Sequence, residues 1–99
     1  MAIIISPAIA AKIAADDHGN VSEKEVLECF ANHCGSYCYD RRPQHLDAQG
    51  NPAVWFVAET NRRGRILKIM FVREGQDMYL KSAYPATPYV QAIFQKHAK

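Results

Sequence analysis

The sequence has no apolar stretch near the ~20 residues that cross a bilayer, and no basic-then-apolar leader opens it. A soluble, cytoplasmic chain is therefore expected. Glycine and proline number five each among 99 residues, which fits neither a linker nor a fibrous repeat. Cysteine is scarce and odd in number, three in all, which argues against a disulfide framework. No glycine-rich phosphate loop, G-x-S-x-G elbow or H-E-x-x-H helix occurs. At this length no large cofactor is expected, and no metal. The chain is also too short to stabilise two separate cores.

What the sequence does carry is core material and an uneven charge. Hydrophobic residues make up 48%, including five Tyr, four Phe and one Trp, so a single folded domain over residues 1–99 is expected. Residues 1–50 hold four basic and seven acidic side chains, a net −3. Residues 51–99 hold eight basic and three acidic, a net +5, and the two sum to the overall +2. Arg62, Arg63, Arg65, Lys68 and Arg73 crowd one short stretch. This asymmetry predicts a face that attracts polyanions; a solvated basic hairpin accounts for it about as well.

Start and stop signals divide the chain. Ser6-Pro7 is an N-cap with proline at the first helical position, predicting a helix over 7–17 that Gly19 ends. Ser22 to Glu25 is a capping box, with Val21 and Val26 as its hydrophobic staple. The helix it opens ends near Asn32 and turns Val26, Leu27 and Phe30 to the core. Residues 37–46 suggest a strand around Tyr37 and Tyr39. Residues 54–60, 65–73 and 78–84 are strong strands joined by the turns 61–64 and 74–77. Thr87-Pro88 opens a last helix with Val90, Ile93 and Phe94 inward and basic residues at its end. The expected fold is α+β: two N-terminal helices, an antiparallel sheet of three to four strands and a C-terminal helix, with the helices on one face.

Four-residue turns pair Thr60 with Arg65 and Arg73 with Met78, and alternation then sorts the side chains. One face collects Phe56, Ala58, Leu67, Ile69, Phe71 and Leu80, with Ser82 and Tyr84 at its end. The other collects Trp55, Val57, Glu59, Ile66, Lys68, Met70, Val72, Tyr79, Lys81 and Ala83. Lysines at the middle of two neighbouring strands need water or a partner. Either Glu59 and Lys68 form a modest cross-strand ion pair on an exposed face, or the face holds a phosphate-bearing ligand through Lys68, Lys81 and Arg65.

Other chemistry is weaker. Cys29, His33, Cys34 and Cys38 lie within ten residues, but their spacing lacks the C-x2-C pair of common zinc sites, and small buried thiols explain them better. His18 and His97 end helices. His45, after Asp40-Arg41-Arg42, is the histidine best placed for acid–base work.

His18-Gly19-Asn20-Val21-Ser22 opening a Glu-containing helix, Gly64-Arg65 leading an apolar strand, a Glu-Gly turn and the closing Ser82-Ala83 together resemble BrnT-like toxins of the RelE/ParE superfamily. The likeness runs over most of the chain. It implies a bacterial, metal-independent ribonuclease of a type II toxin–antitoxin system, on a helix–helix–sheet–helix scaffold. The implied partners are RNA, in some members on the ribosome, and a cognate antitoxin; a homodimer is left open. RNA supplies its own 2′-hydroxyl nucleophile, so basic side chains that stabilise the phosphate suffice. On this reading Arg65, Lys68 and Lys81 grip and neutralise the phosphate, Glu59 or His45 is the base, and Tyr84 is the proton donor. Arg62, Arg63, Arg65, Arg73 and Tyr79 bind the RNA.

The sequence departs from that family in having Tyr79 and Tyr84 where BrnT-like toxins carry arginines around the Ser-Ala pair. Residues 55–60 and 79–84 are similar to a branch of small bacterial proteins, some labelled ADP-ribosyl-(dinitrogen reductase) hydrolases. Hydrolases of that name resemble a much larger, all-helical, two-metal domain, whose length and carboxylate set this chain lacks. Two alternatives stand beside the toxin: a non-catalytic protein-interaction module on the same basic sheet face, and a small ADP-ribose- or nucleotide-directed enzyme.

Overall fold

The structure is a computed structural model that describes residues 2–98 except 34, 43–45, 47, 48, 51, 62 and 63. His45, Arg62 and Arg63, three of the expected site residues, lie outside the described residues. In chain order the elements are β1 (Ile3–Ile4), α1 (Pro7–Ala14), a 3-10 turn (Asp16–His18) and α2 (Glu23–Asn32). Strands β2 (Cys38–Asp40), β3 (Ala53–Glu59), β4 (Ile66–Glu74) and β5 (Asp77–Pro85) follow, and α3 (Pro88–His97) ends the chain.

The caps form as read. Ser6 accepts from the Ile9 amide, Thr87 accepts from the Val90 amide, and Ser22 and Glu25 make both halves of the capping box. Helix α1 is shorter than expected. Ala15 leaves helical geometry, and the 3-10 turn runs on to Gly19 at φ +95. A glycine is required there twice over, because a Cβ would lie 2.3 Å from Cδ of Pro85.

The fold is α+β as expected, but its sheet has five strands, in the order β1-β5-β4-β3-β2. Strand β1 joins parallel to β5, through Ile3 opposite Met78 and Ile4 opposite Tyr79. It is two residues long, too short for any periodicity to reveal. The sheet is therefore mixed rather than purely antiparallel.

Helices cover both faces, not one. On one side Phe30 of α2 packs edge-on to Phe56 and beside Phe71, at ring-centroid distances of 5.0 and 5.4 Å. On the other side Phe94 of α3 lies 5.9 Å from Trp55. Adjacent residues Trp55 and Phe56 point to opposite faces, so α2 and α3 sandwich the sheet. Both faces are apolar enough to need a cover, which is why strands β3 and β4 are buried through most of their length. In α2 the core positions are Val26, Cys29 and Phe30, whereas Leu27 is 48% exposed. The helical period puts Cys29, three after Val26, in the place expected of Leu27.

The register at both turns is as expected, but it does not run through. Between Met70 and Phe71 the β4–β5 ladder shifts, from Phe71 opposite Leu80 to Met70 opposite Ser82, leaving Lys81 as the extra residue. Every later side chain of β5 changes face. Ala83 turns to the α2 side opposite Ile69, and Ser82 and Tyr84 turn to the α3 side opposite Met70 and Lys68. This corrects the expectation that Ser82 and Tyr84 end the core face.

Candidate functional site

The bulge creates the site. By bringing Tyr84 opposite Lys68, it sets that lysine between two rings, with Nζ 4.6 Å from the Trp55 ring centre and 5.6 Å from that of Tyr84. Lys68 is 9% exposed. No ion pair or hydrogen bond of its ammonium appears among the described residues, and Glu59, two pairs further along the ladder, is not its partner. The stem is buried and the ammonium keeps contact with solvent, while two aromatic faces offset part of its lost hydration. They do not supply a counter-ion.

Strand β2 completes the surround. Cys38 pairs with Trp55 and so shares the face of Lys68. Its thiol is raised above the usual range by burial, against which the positive charge of Lys68 pulls it down. Two residues on, Asp40 faces the same way and holds Arg42, Nη2 to Oδ2 at 2.6 Å. That contact raises the Arg42 guanidinium further above its ordinary value. At the other end Tyr84 borders a depression of about 490 Å³ with Asp16, Asp17 and His18. The site is thus positive at its centre and acidic at one end.

The remaining expected residues divide across the sheet. Tyr79 stands on the Lys68 face, opposite Val72. Lys81 is exposed at the bulge and borders a depression with Ile4, Ser6 and Glu74 near the β1 edge, apart from the Lys68 surround. Glu59 is exposed at the end of β3, where its carbonyl accepts from Nδ2 of Asn32. Arg73 extends to the α2 side, 5.4 Å from the ring centre of Tyr37.

Arg65 also belongs to the α2 side. It gives Glu25 two hydrogen bonds from Nη2 and one from Nε, at 2.9, 3.1 and 3.2 Å. Its Nη1 donates to the Gly19 carbonyl at 2.6 Å and its Nη2 to that of Asn20 at 3.2 Å. Arg65 therefore locks the second turn of the chain to the sheet. The sheet itself separates Arg65 and Arg73 from Lys68.

The thiols and His33 are also divided. Cys29 donates to the Ala58 carbonyl on the α2 side, and burial and the nearby Glu25 and Glu28 push it up to about 12. His33 Nδ1 lies 2.6 Å from the Phe30 carbonyl, which can only accept, so Nδ1 carries a proton. Its Nε2 lies 2.6 Å from the Tyr37 hydroxyl. Cys29 and Cys38 thus stand on opposite faces of the sheet, and Cys34 is outside the described residues.

Trp55 and Cys38 complete the surround without having been read as site residues. Trp55 could have been found, since the register puts it diagonal to Lys68. Cys38 could not, because three residues of β2 carry no register signal. No helix among the described residues is long and apolar enough to cross a membrane. Comparison with family models, with curated proteins and with solved structures returns no match to the chain.

Proposed function

We propose that the chain is a RelE/BrnT-like toxin that binds RNA on the face carrying Lys68 and Tyr84. One observation carries this reading: a lysine 9% exposed overall, whose ammonium lies beside two aromatic rings and reaches solvent, with no carboxylate paired to it among the described residues. A cation on an apolar, aromatic surface without a counter-ion favours an anionic ligand, and the phosphodiester is the anion that the family resemblance implies. Binding is the part that the site supports most directly.

Cleavage follows if the phosphate sits against Lys68. A 2′-hydroxyl loses its proton to a base and attacks the adjacent phosphorus. The P–O5′ bond breaks, leaving a cyclic 2′,3′-phosphate, and the leaving oxygen takes a proton. Lys68 would offset the extra charge on the phosphoryl oxygens and Tyr84 would give the proton. Of the two candidate bases, Glu59 is the one described, on the same sheet face. Lys81, Arg65 and Arg73 take no part in this version of the site. An antitoxin partner and a cytoplasmic setting go with the same proposal.

The dispersal of Arg65 and Arg73 to the α2 side favours a second reading, a protein-interaction module, because it removes two cations from the RNA face. Salt separates the two. With two to three phosphate contacts, single-stranded RNA should bind roughly 7- to 20-fold more weakly at 200 than at 50 mM salt, whereas an apolar protein interface should not. Induced expression should arrest growth, and Tyr84→Phe, which keeps the ring beside Lys68, should relieve it while leaving RNA binding near wild type. Absence of RNA binding by folded wild-type protein at 50 mM salt would overturn the proposal.

A further inference from the structure

A cleft of about 490 Å³ lies between edge strand β2 and helix α3, lined by Tyr37, Cys38, Tyr39, Arg41, Trp55, Ile93 and His97. Its size falls within the roughly 300–1,000 Å³ of small-molecule pockets. Two of its lining residues also belong to the Lys68 surround. Trp55 has Lys68 Nζ 4.6 Å from its ring centre, and the Cys38 thiol feels the Lys68 charge. Cleft and ammonium are therefore contiguous, joined by one indole.

The lining has a definite chemistry. Among the described residues, aromatic and aliphatic groups predominate, none of the lining side chains is a carboxylate, and the ionisable groups besides the thiol and the phenols are Arg41 and His97. Both are exposed, and Arg41 rests 5.7 Å from the Tyr39 ring centre. On the other side of Lys68, the depression that Tyr84 borders carries Asp16 and Asp17. A polyanion whose phosphate reaches Lys68 is repelled from that end and attracted toward Arg41 and His97. Its next nucleotide then meets the cleft.

Resting on the RNA-binding reading above, we infer that this cleft is a nucleobase pocket. It receives one unstacked base of single-stranded RNA, next to the phosphate held by Lys68, with Arg41 and His97 meeting the following phosphate. Aromatic surfaces beside cations are what single-stranded nucleic acid uses when sequence preference is modest. The occupant is a base with a phosphate attached, not a free apolar ligand and not a protein side chain.

The full chain carries its own reporter, because Trp55 is its single tryptophan. A short single-stranded RNA should change Trp55 emission on binding. The same oligomer with its bases removed, keeping every phosphate, should bind at least roughly 5-fold more weakly and leave the emission unchanged. The exposed-site variant R41E/H97E should weaken the intact oligomer more than the abasic one. Equal affinity for the two oligomers, with no change in emission, would overturn the pocket while leaving RNA binding in place. Failure of both oligomers to bind at 50 mM salt would overturn the underlying reading, and the pocket with it.

Discussion

Arg65→Ala separates a structural arginine from an RNA-binding one. Arg65 makes three hydrogen bonds to the Glu25 carboxylate and one each to the Gly19 and Asn20 carbonyls. The side chains of Arg65 and Glu25 are 22% and 8% exposed. Removing one partner of a buried ion pair costs about 3–5 kcal/mol, because the other charge stays behind. The partial exposure of Arg65 lowers that to about 2–3 kcal/mol. At 4–8 °C per kcal/mol for a domain of this size, the melting temperature should fall by roughly 10–20 °C. Arg65→Lys keeps the charge but not the fork, and should fall in between. Adding Glu25→Gln to Arg65→Ala should recover part of the loss, since the negative charge that Arg65 balanced is gone while the capping-box acceptor stays. Thermal melts followed by circular dichroism, with RNA titrations on the same samples, decide the matter. If Arg65→Ala melts within about 2 °C of wild type and loses RNA affinity, Arg65 is a surface ligand and the lock described above is wrong.

Four further outcomes follow from the geometry. Phe30→Ala, which vacates the contacts with Phe56 and Phe71, should cost about 3–5 kcal/mol in urea unfolding. Ser22→Ala removes one half of the capping box and should cost about 0.5–2 kcal/mol by the same measurement. Gly19→Ala should destabilise more than Gly35→Ala: both sites have positive φ, but only the first would drive a Cβ into the Pro85 ring, and equal costs would refute the contact. Burial raises the Cys29 thiol from 9.0 to about 12, so the folded state keeps a proton that the unfolded chain loses. Its contribution to stability is full below about pH 9 and fades toward pH 12, and pH-dependent unfolding of wild type against Cys29→Ala would detect it.

Most of the fold was legible because its signals are local. Caps at Ser6, Ser22 and Thr87 and turns after Thr60 and Glu74 are decided by a few adjacent residues, and those elements stand where they were expected. What was not legible depends on contacts distant in sequence. Strand β1 is two isoleucines whose pairing is with residues 78 and 79. Helix α3 looks the same in sequence on either face, and only the bulk of Trp55 and Met70 on the second face calls for a cover there.

The bulge at Met70/Phe71 had the largest consequence for the site. Uninterrupted pairing sends Tyr84 into the core and leaves Lys68 and Lys81 on one surface, which suggests a phosphate clamp made of two lysines. One extra residue reverses both. Lys81 leaves the ladder, Tyr84 arrives opposite Lys68, and the charge ends up beside two aromatic rings. Two lysines on an open face would attract any polyanion, with affinity set mainly by charge count and salt. One lysine flanked by Trp55 and Tyr84 meets a phosphate beside two rings, which adds a stacking surface for the attached base. Deleting Lys81 closes the bulge but leaves Ser82 opposite Met70 and Tyr84 opposite Lys68, so Tyr84 keeps its face. The deletion should then weaken RNA binding no more than Lys81→Ala, which removes the same charge and keeps the bulge. A clearly larger loss from the deletion, measured on folded protein, would mean that the bulge does more than set the face of Tyr84.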